Sequence, residues 1–413
     1  MKAGIFKPLK NKAYRSLFGA QVFSDLGNWL DFLAIQVIVA YHWGLGEGAI
    51  ASVIIVMGLP WVIIGPFASV YVDRLPQKMM MISCLWLRIL FVAGLFFAPN
   101  LYVLLLFVFL KATVAALYDP ARQSAIRHIV DEEELPEAVT LSQLSVNTMK
   151  IIGPALGGGF IAIYGVKSPF IFEGVGFLIA IAFLLTLPKI KNEEIEQKQQ
   201  KNSYLEDLTE GIRHILSARI LKAAILLSSI AFFIIFLYDG LFVFVAQLLG
   251  FASEEFGLLV SSVGFGSVIG AIILGKFTGW KNKPIHLMAT ASVMSGMLIL
   301  TIGIGVMGIF ELPKTLWMAA AFLLGILASA EGVPYGYVLQ SETPKNIMGR
   351  VSSTAASLQT FSMLAAPAAG ALLAKWIGVP GVLASAGIAT FLLGTLTLTL
   401  HLRKNIEVRS FEA

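Results

Sequence analysis

The sequence predicts an all-α membrane protein, with twelve transmembrane helices arranged as two pseudo-symmetric halves of six. Three observations lead there. Fifty-seven per cent of the 413 residues are hydrophobic and 13 % are charged, with a mean hydropathy of +0.81. A soluble chain covers its surface with roughly a quarter charged residues. The apolar residues gather into twelve runs, each near the roughly 20 residues that a hydrocarbon layer about 30 Å thick requires of a helix. The second six runs repeat landmarks of the first six.

The runs fall at 17–41, 48–71, 79–97, 101–118, 139–163, 170–187, 220–245, 255–277, 284–309, 315–338, 351–376 and 380–400. The first follows Lys2, Lys7, Lys10, Lys12 and Arg15, as a signal peptide would. Its apolar stretch is too long for one and no small-residue cleavage site follows, so it reads as a retained helix. The second leads into the loop SVYVDRLPQKMMM. The third holds the one cysteine, Cys84, which cannot form an internal disulfide. The fourth ends in YDPARQSA, at Pro120, and opens a charged connection over 119–138. The fifth carries IGPALGG, where Gly153, Pro154, Gly157 and Gly158 give a thin face for close packing and a kink. After the sixth, the stretch 188–219 mixes both charge signs with scattered apolar residues. It reads as a cytoplasmic linker with a surface helix near 204–217. This divides the chain into a first half (1–187), the linker (188–219), a second half (220–400) and a tail (401–413). The eighth run leads into GKFTGWKNKPIHL, the tenth ends in EGVPYGYV with Pro334, and the eleventh carries AAPAAGA with Pro367 and Gly370.

Orientation follows from the placement of Lys and Arg. With the N-terminus inside, 24 of the 30 basic residues fall in the N-terminal tail, the inner loops and the C-terminal tail. Lys167, Lys314 and Lys375 fall outside, and Arg88, Lys111 and Lys150 within helices. Both termini are therefore expected in the cytoplasm and the protein in the cell membrane. The same bias accounts for the net charge of +5 without a nucleic-acid partner.

The halves match in their details. Pro154 and Pro367 are offset by 213 residues, Pro120 and Pro334 by 214. Repeats of six helices suit a carrier whose site alternates in access near the bilayer midplane. At this point the whole chain resembles the major facilitator superfamily, through its twelve helices, long central loop and the motif after the second helix. The family form of that motif is roughly GxLaDrxGrk. This chain keeps Asp73, Arg74 and Lys78 and has Ser69, Pro76 and Gln77 where the family has Gly, Gly and Arg. The second copy keeps Gly275 but has Gly279 in place of Asp. The stretch YDPARQSAIRHIVDEEELPEAVTL resembles the macrolide- and drug-efflux branch. By resemblance, Asp73 and Arg74 control conformation. The Gly65-x-x-x-Ser69 face for close packing agrees, as does the expected place of Asp73 at an inner helix end, where it can meet the positive N-terminus of a neighbour such as the eleventh helix. The glycine-proline motif of the fifth helix is associated with antiport in drug exporters.

Charges inside the helices carry the functional signal, since each costs several kcal/mol unless paired or wet. They are Asp25 and Asp31 in the first helix, Arg88 in the third, Lys111 in the fourth, Lys150 in the fifth, Asp239 in the seventh and Glu331 in the tenth. Five of the seven lie on helices one, four, seven and ten, which line the central cavity in the resembled fold. Asp25, Asn28 and Asp31 form a polar stripe on one helix face. Rise per residue sets Asp25, Arg88, Lys111 and Glu331 roughly 10–13 Å from the inner boundary and Asp31 about 20 Å in. A carboxylate that competes between ionisation beside a base and protonation by desolvation is what proton coupling requires. Asp31 is the first candidate and Asp25 the second; the alternative for either is a static ion pair that merely joins helices, for Asp25 with Lys111 or Arg88. Asp239 and Glu331 are candidates for cation recognition or a second proton. An ion pair between Lys111 and Glu331, one from each half, is a further expectation.

His128, His214 and His286 show no metal-ligand spacing, and neither metal nor cofactor is expected. GAIILGKF has Phe277 where a phosphate-binding loop needs Ser or Thr. GIGVMG ends a membrane helix with no βαβ unit around it. With no nucleotide engine, transport draws on an ion gradient or substrate flow. The chain thus reads as a non-enzymatic secondary transporter, an antiporter exporting amphipathic small molecules such as drugs or macrolides in exchange for protons, and surrounded by membrane lipid. The fold needs no second subunit, so a monomer is expected. A lysophospholipid or metabolite carrier and a non-transporting membrane sensor or scaffold are the alternatives.

Overall fold

A computed structural model describes residues 6–64, 76–188, 212–344 and 347–411. Among these residues the chain is a succession of helices. Asn11 opens the first by accepting from the backbone N–H groups of Ala13 and Tyr14 at 2.9 and 3.4 Å. That helix, α1, runs Lys12–Val37 and passes into a π-helical turn, Ile38–His42. There follow α2 (Glu47–Ile63), α3 (Gln77–Phe97), α4 (Leu101–Ile129), α5 (Leu135–Tyr164) and α6 (Ser168–Leu185). The second series has α7 (Arg219–Asp239), a short helix Phe242–Leu248, α8 (Ser253–Lys276), α9 (Pro284–Val306) and α10 (Lys314–Ser341). The run Met348–Phe411 is broken at Gly378, whose φ of 72° few other residues adopt. The part before Gly378 is α11 and the part after it α12. Ten of these elements, counting the broken run once, are long and apolar enough to cross a bilayer, and α2 is a shorter apolar helix. The protein is an all-α membrane protein with twelve transmembrane helices in two halves of six.

One connection differs from the sequence expectation. The fourth helix does not stop at Pro120 but continues to Ile129, and α5 starts at Leu135. The charged connection therefore shrinks to the few residues between them. The extension holds because Ala121, Arg122, Ala125 and Ile126 continue a buried face, and that packing outweighs the one backbone hydrogen bond a proline removes. Of the surface helix expected near 204–217, residues 212–217 are helical; the remainder lies outside the described residues.

The chain clusters into two compact units, Met1–Gln197 with Ala252–Ser261, and Lys198–Phe251 with Ser262–Ala413. In the first, α1 packs on α5 and α6, α3 on α4 and α6, and α2 on α4. The start of α8 belongs to this unit, where a Cβ on Gly257 would lie 2.2 Å from the Pro154 carbonyl oxygen. In the second, α7 meets α11 where a Cβ on Gly370 would lie 1.9 Å from the Leu237 carbonyl oxygen, and α8 meets α10 where one on Gly325 would lie 1.9 Å from that of Val263. α9 packs on α10 and, through Gly296 and Gly387, on α12. The α3–α4, α3–α6, α1–α5 and α2–α4 contacts thus recur as α9–α10, α9–α12, α7–α11 and α8–α10. Small residues let these backbones approach, as membrane helices require where no hydrophobic effect drives them together.

Candidate functional site

The first unit is built around a polar stripe on α1. Gln21, Ser24, Asp25, Asn28 and Asp31 recur at three- and four-residue spacing and so share a face. Gln21, Ser24 and Asp31 are buried, which obliges them to find partners. Three basic side chains from α3 and α4 supply most of these, one after another along the stripe.

Nearest the start of α1, Arg122 of α4 donates to Gln21 Oε1 at 2.8 Å and to Ser142 Oγ at 2.6 Å. Ser142 Oγ in turn donates to Gln21 Oε1 at 2.7 Å. Gln21 Nε2 and Ser145 Oγ donate to Asp25 at 3.0 and 2.8 Å, and Asp119 lies 3.6 Å from Arg122. Next comes Arg88 of α3, 1 % exposed. It donates to Ser24 Oγ at 3.1 Å and to Asn28 Oδ1, and its guanidinium stacks 4.3 Å above the Phe177 ring of α6. Furthest along is Lys111 of α4, whose ammonium is shared by Asp31 of α1 and Glu173 of α6. The Glu173 side chain is fully buried. Gly27 admits it: a Cβ there would come within 2.9 Å of Glu173 Cγ.

A cavity of about 160 Å³ opens beside this last cluster. Asn28, Asp31 and Lys111 supply its polar wall, and Met57, Trp61, Val108, Ala112 and Ala115 the apolar one. Glu173 does not reach it and stands behind Lys111. The core of the unit thus buries two acids, Asp31 and Glu173, and three bases, Lys111, Arg88 and Arg122, and the interactions among them are stronger than they are in water.

The structure pairs several residues differently from the sequence expectation. Asp25 is not the partner of Lys111 or Arg88; it is held by Gln21 and Ser145. Lys111 lies beside Asp31 rather than at the depth of Asp25. The continuation of α4 past Pro120 sets Lys111 18 residues, about 27 Å, from the end at Ile129, where the expected end at position 118 would have left it seven residues away. The ammonium of Lys111 is taken by Asp31 and Glu173, while Glu331 accepts from Ser292 at 2.9 Å. Each has its partners within its own unit. Asp239 is the exposed last residue of α7. Lys150 reaches the Trp29 ring at 5.8 Å.

Of the expected conformational-control residues, Ser69, Asp73 and Arg74 lie outside the described residues, together with Gly65. Lys78 donates to the carbonyl oxygens of Leu185 and Leu187 at 2.9 and 2.5 Å, placing a cation on the C-terminal end of α6. The glycines of α5 are packing positions. A Cβ on Gly153 would meet Trp29 Cβ at 2.4 Å, on Gly157 Leu33 Cδ2 at 2.9 Å, and on Gly158 the Glu254 carbonyl oxygen at 2.5 Å. Pro154 and Pro367 sit within continuous helices. Sequence reasoning missed Glu173 and Arg122. Glu173 falls three residues into the expected sixth run, where a carboxylate is read as belonging to the helix end. Arg122 lies just past the expected end of the fourth. The one available signal was the burial of their faces, Phe170, Phe177 and Ile181 flanking the first and Ala121, Ala125 and Ile126 the second.

Comparisons with known proteins agree with this architecture. A Bacillus subtilis (strain 168) MFS-type transporter, YfiS, is 25 % identical over 95 % of this chain and 94 % of its own length. BacE of Bacillus amyloliquefaciens, whose name assigns it to bacilysin export, is 27 % identical over 84 % of this chain and 85 % of its own. EntS of Shigella flexneri, named an enterobactin exporter, is 26 % identical over 76 % and 71 %. Among solved structures, a POT family transporter in complex with 5-aminolevulinic acid shares the fold with a TM-score of 0.68 at 13 % identity, covering 94 % of this chain and 95 % of that one. A bacterial homologue of the human lysosomal transporter Spinster does so with a TM-score of 0.65 at 14 % identity, covering 94 % and 96 %. The profile of the Major Facilitator Superfamily matches residues 17–367, and on that match the chain belongs to the Major Facilitator Superfamily of membrane transporters.

Proposed function

We propose that the protein is a proton-coupled exporter of small amphipathic molecules in the cell membrane, working by alternating access with both termini in the cytoplasm. The observation that carries this reading is the Asp31–Lys111–Glu173 cluster at the wall of a partly apolar cavity. Asp31 is the cluster's cavity-facing acid. A proton on Asp31 neutralises it, and a substrate in the cavity competes for the same polar wall; that competition is the coupling step. Protonation of one of two acids sharing a single lysine also relieves their mutual repulsion. The apolar wall of Met57, Trp61 and Val108 suits an apolar group of an amphipathic substrate; at about 160 Å³ the cavity takes part of a drug-sized molecule, whose full pocket is roughly 300–1,000 Å³. The names of BacE and EntS support the export direction.

The test is transport in proteoliposomes under an imposed pH gradient, with a panel of labelled amphipathic compounds that includes macrolides. Concentrative uptake that collapses with a protonophore is the expected result. Uptake indifferent to the gradient overturns proton coupling, and absence of flux for the whole panel overturns the substrate class.

A further inference from the structure

The proposed function treats Glu173 only as the second acid on Lys111 and gives it no role of its own. Its Oε1 accepts from Lys111, while its Oε2 is buried without a hydrogen-bond partner. An orphaned acceptor at such a site is costly. An inert structural acid would satisfy both oxygens or be replaced by an apolar residue of similar volume. The surroundings are specific. Asp31 faces Glu173 across the lysine from α1. Lys111 reaches it from α4. From α3, Arg88 lies over Phe177, one turn along α6 from Glu173. The Lys150 side chain of α5 is at Trp29.

The two carboxylates differ in one decisive respect: Asp31 lines the cavity and Glu173 does not. Anything that occupies Asp31, a proton or a substrate cation, takes away one of the two anions that hold Lys111. A buried ammonium stripped of its counter-ion is strongly unfavourable. With Glu173 behind it, Lys111 keeps a partner, and Asp31 is released at small cost. Without Glu173, Lys111 has Asp31 alone, and the pair locks.

We propose that Glu173 is a positioning residue for coupling: it holds Lys111 whenever Asp31 is engaged, so that Asp31 is free to exchange its proton or bind a cation. This rests on the proton-coupled reading above. It also implies a charge preference. A cationic substrate group on Asp31 leaves each cation one anion, whereas an anionic group would bring a third negative charge to one lysine.

The experiment needs no identified substrate. Spin labels on cysteines replacing Thr140 of α5 and Ser341 of α10, in a Cys84→Ser background, report distance distributions as pH is varied in purified, reconstituted protein. The wild-type distribution is expected to shift with pH. Glu173→Gln is expected to abolish the shift and Glu173→Asp to retain it. The deciding comparison sets Glu173→Asp, which keeps a second anion for Lys111 in a shorter side chain, against Glu173→Leu, which fills the space without one. The inference expects the pH response in the first and its loss in the second. A response that follows packing instead, kept in Glu173→Leu and lost in Glu173→Asp, overturns the inference. A normal pH response in Glu173→Gln overturns it as well. No pH response in the wild type instead overturns the proton-coupled reading beneath it.

Discussion

At the scale of single residues, the α1 stripe separates two acids that look alike in sequence. Asp25 is held by neutral donors, Gln21 and Ser145, whereas Asp31 is held by the shared cation Lys111. Asp31→Asn removes a titrating group and leaves Lys111 on Glu173. We expect it to fold, to bind substrate, and to lose pH-gradient-driven accumulation; substrate exchange without a gradient is the control that should survive. Asp25→Asn keeps an acceptor for Ser145 and should change the same rate only a few-fold. Normal gradient-driven transport by Asp31→Asn would reassign the proton. Lys111→Met is a different case. It leaves Asp31 and Glu173 buried together with no lysine between them, and breaking a buried pair in this way costs about 3–5 kcal/mol. A large fall in the thermal midpoint of the purified protein is expected, with part of it recovered by adding Asp31→Asn.

At the scale of elements, the fold depends on where helices touch without side chains between them. The face of α5 that carries Gly153 and Gly157 lies on α1, while Gly159, two residues on from Gly157, meets nothing within 4 Å. Gly153→Ala places its methyl 2.4 Å from Trp29 Cβ, an atom fixed to the backbone, so α5 must move away from α1 and from the Asp25 network. A cost of about 1–3 kcal/mol follows, the usual range for overpacking. Gly159→Ala should be neutral or slightly stabilising, because alanine is the better helix former. Thermal midpoints of the two variants in the same detergent check this; equal loss in both would show that α5 does not owe its position to this face. The glycine-proline pattern in the sequence was legible as close packing. Which glycine meets which neighbour was not, because helical spacing gives the face and leaves the identity of the opposing helix open.

At the scale of the whole molecule, membrane orientation is the property that composition predicts most directly. Cysteines placed at positions 167 and 314 should react with a membrane-impermeant thiol reagent on intact cells, and one placed at 198 should react only after permeabilisation. Labelling at 198 in intact cells would invert the topology. The prediction rests on the distribution of 30 basic residues, since the charge bias acts while the chain is inserted and precedes tertiary packing.

The sequence by itself determined the twelve-helix architecture, the repeat of its halves, the family and the Asp25–Asn28–Asp31 stripe. The architecture, the repeat and the stripe are properties of length, hydropathy and local spacing, which a lipid solvent enforces one helix at a time, whereas the family was legible as a resemblance through the loop motif at Asp73, Arg74 and Lys78. Only the tertiary structure decided that Lys111 joins Asp31 to Glu173, that Arg88 rests on Ser24, Asn28 and Phe177, and that Arg122 belongs to Gln21 and Ser142. Charge partners in these helices are set by which faces meet and at what axial offset. Those follow from the summed packing of small residues such as Gly27 and Gly153 against their neighbours, and from an α4 that runs on past its proline.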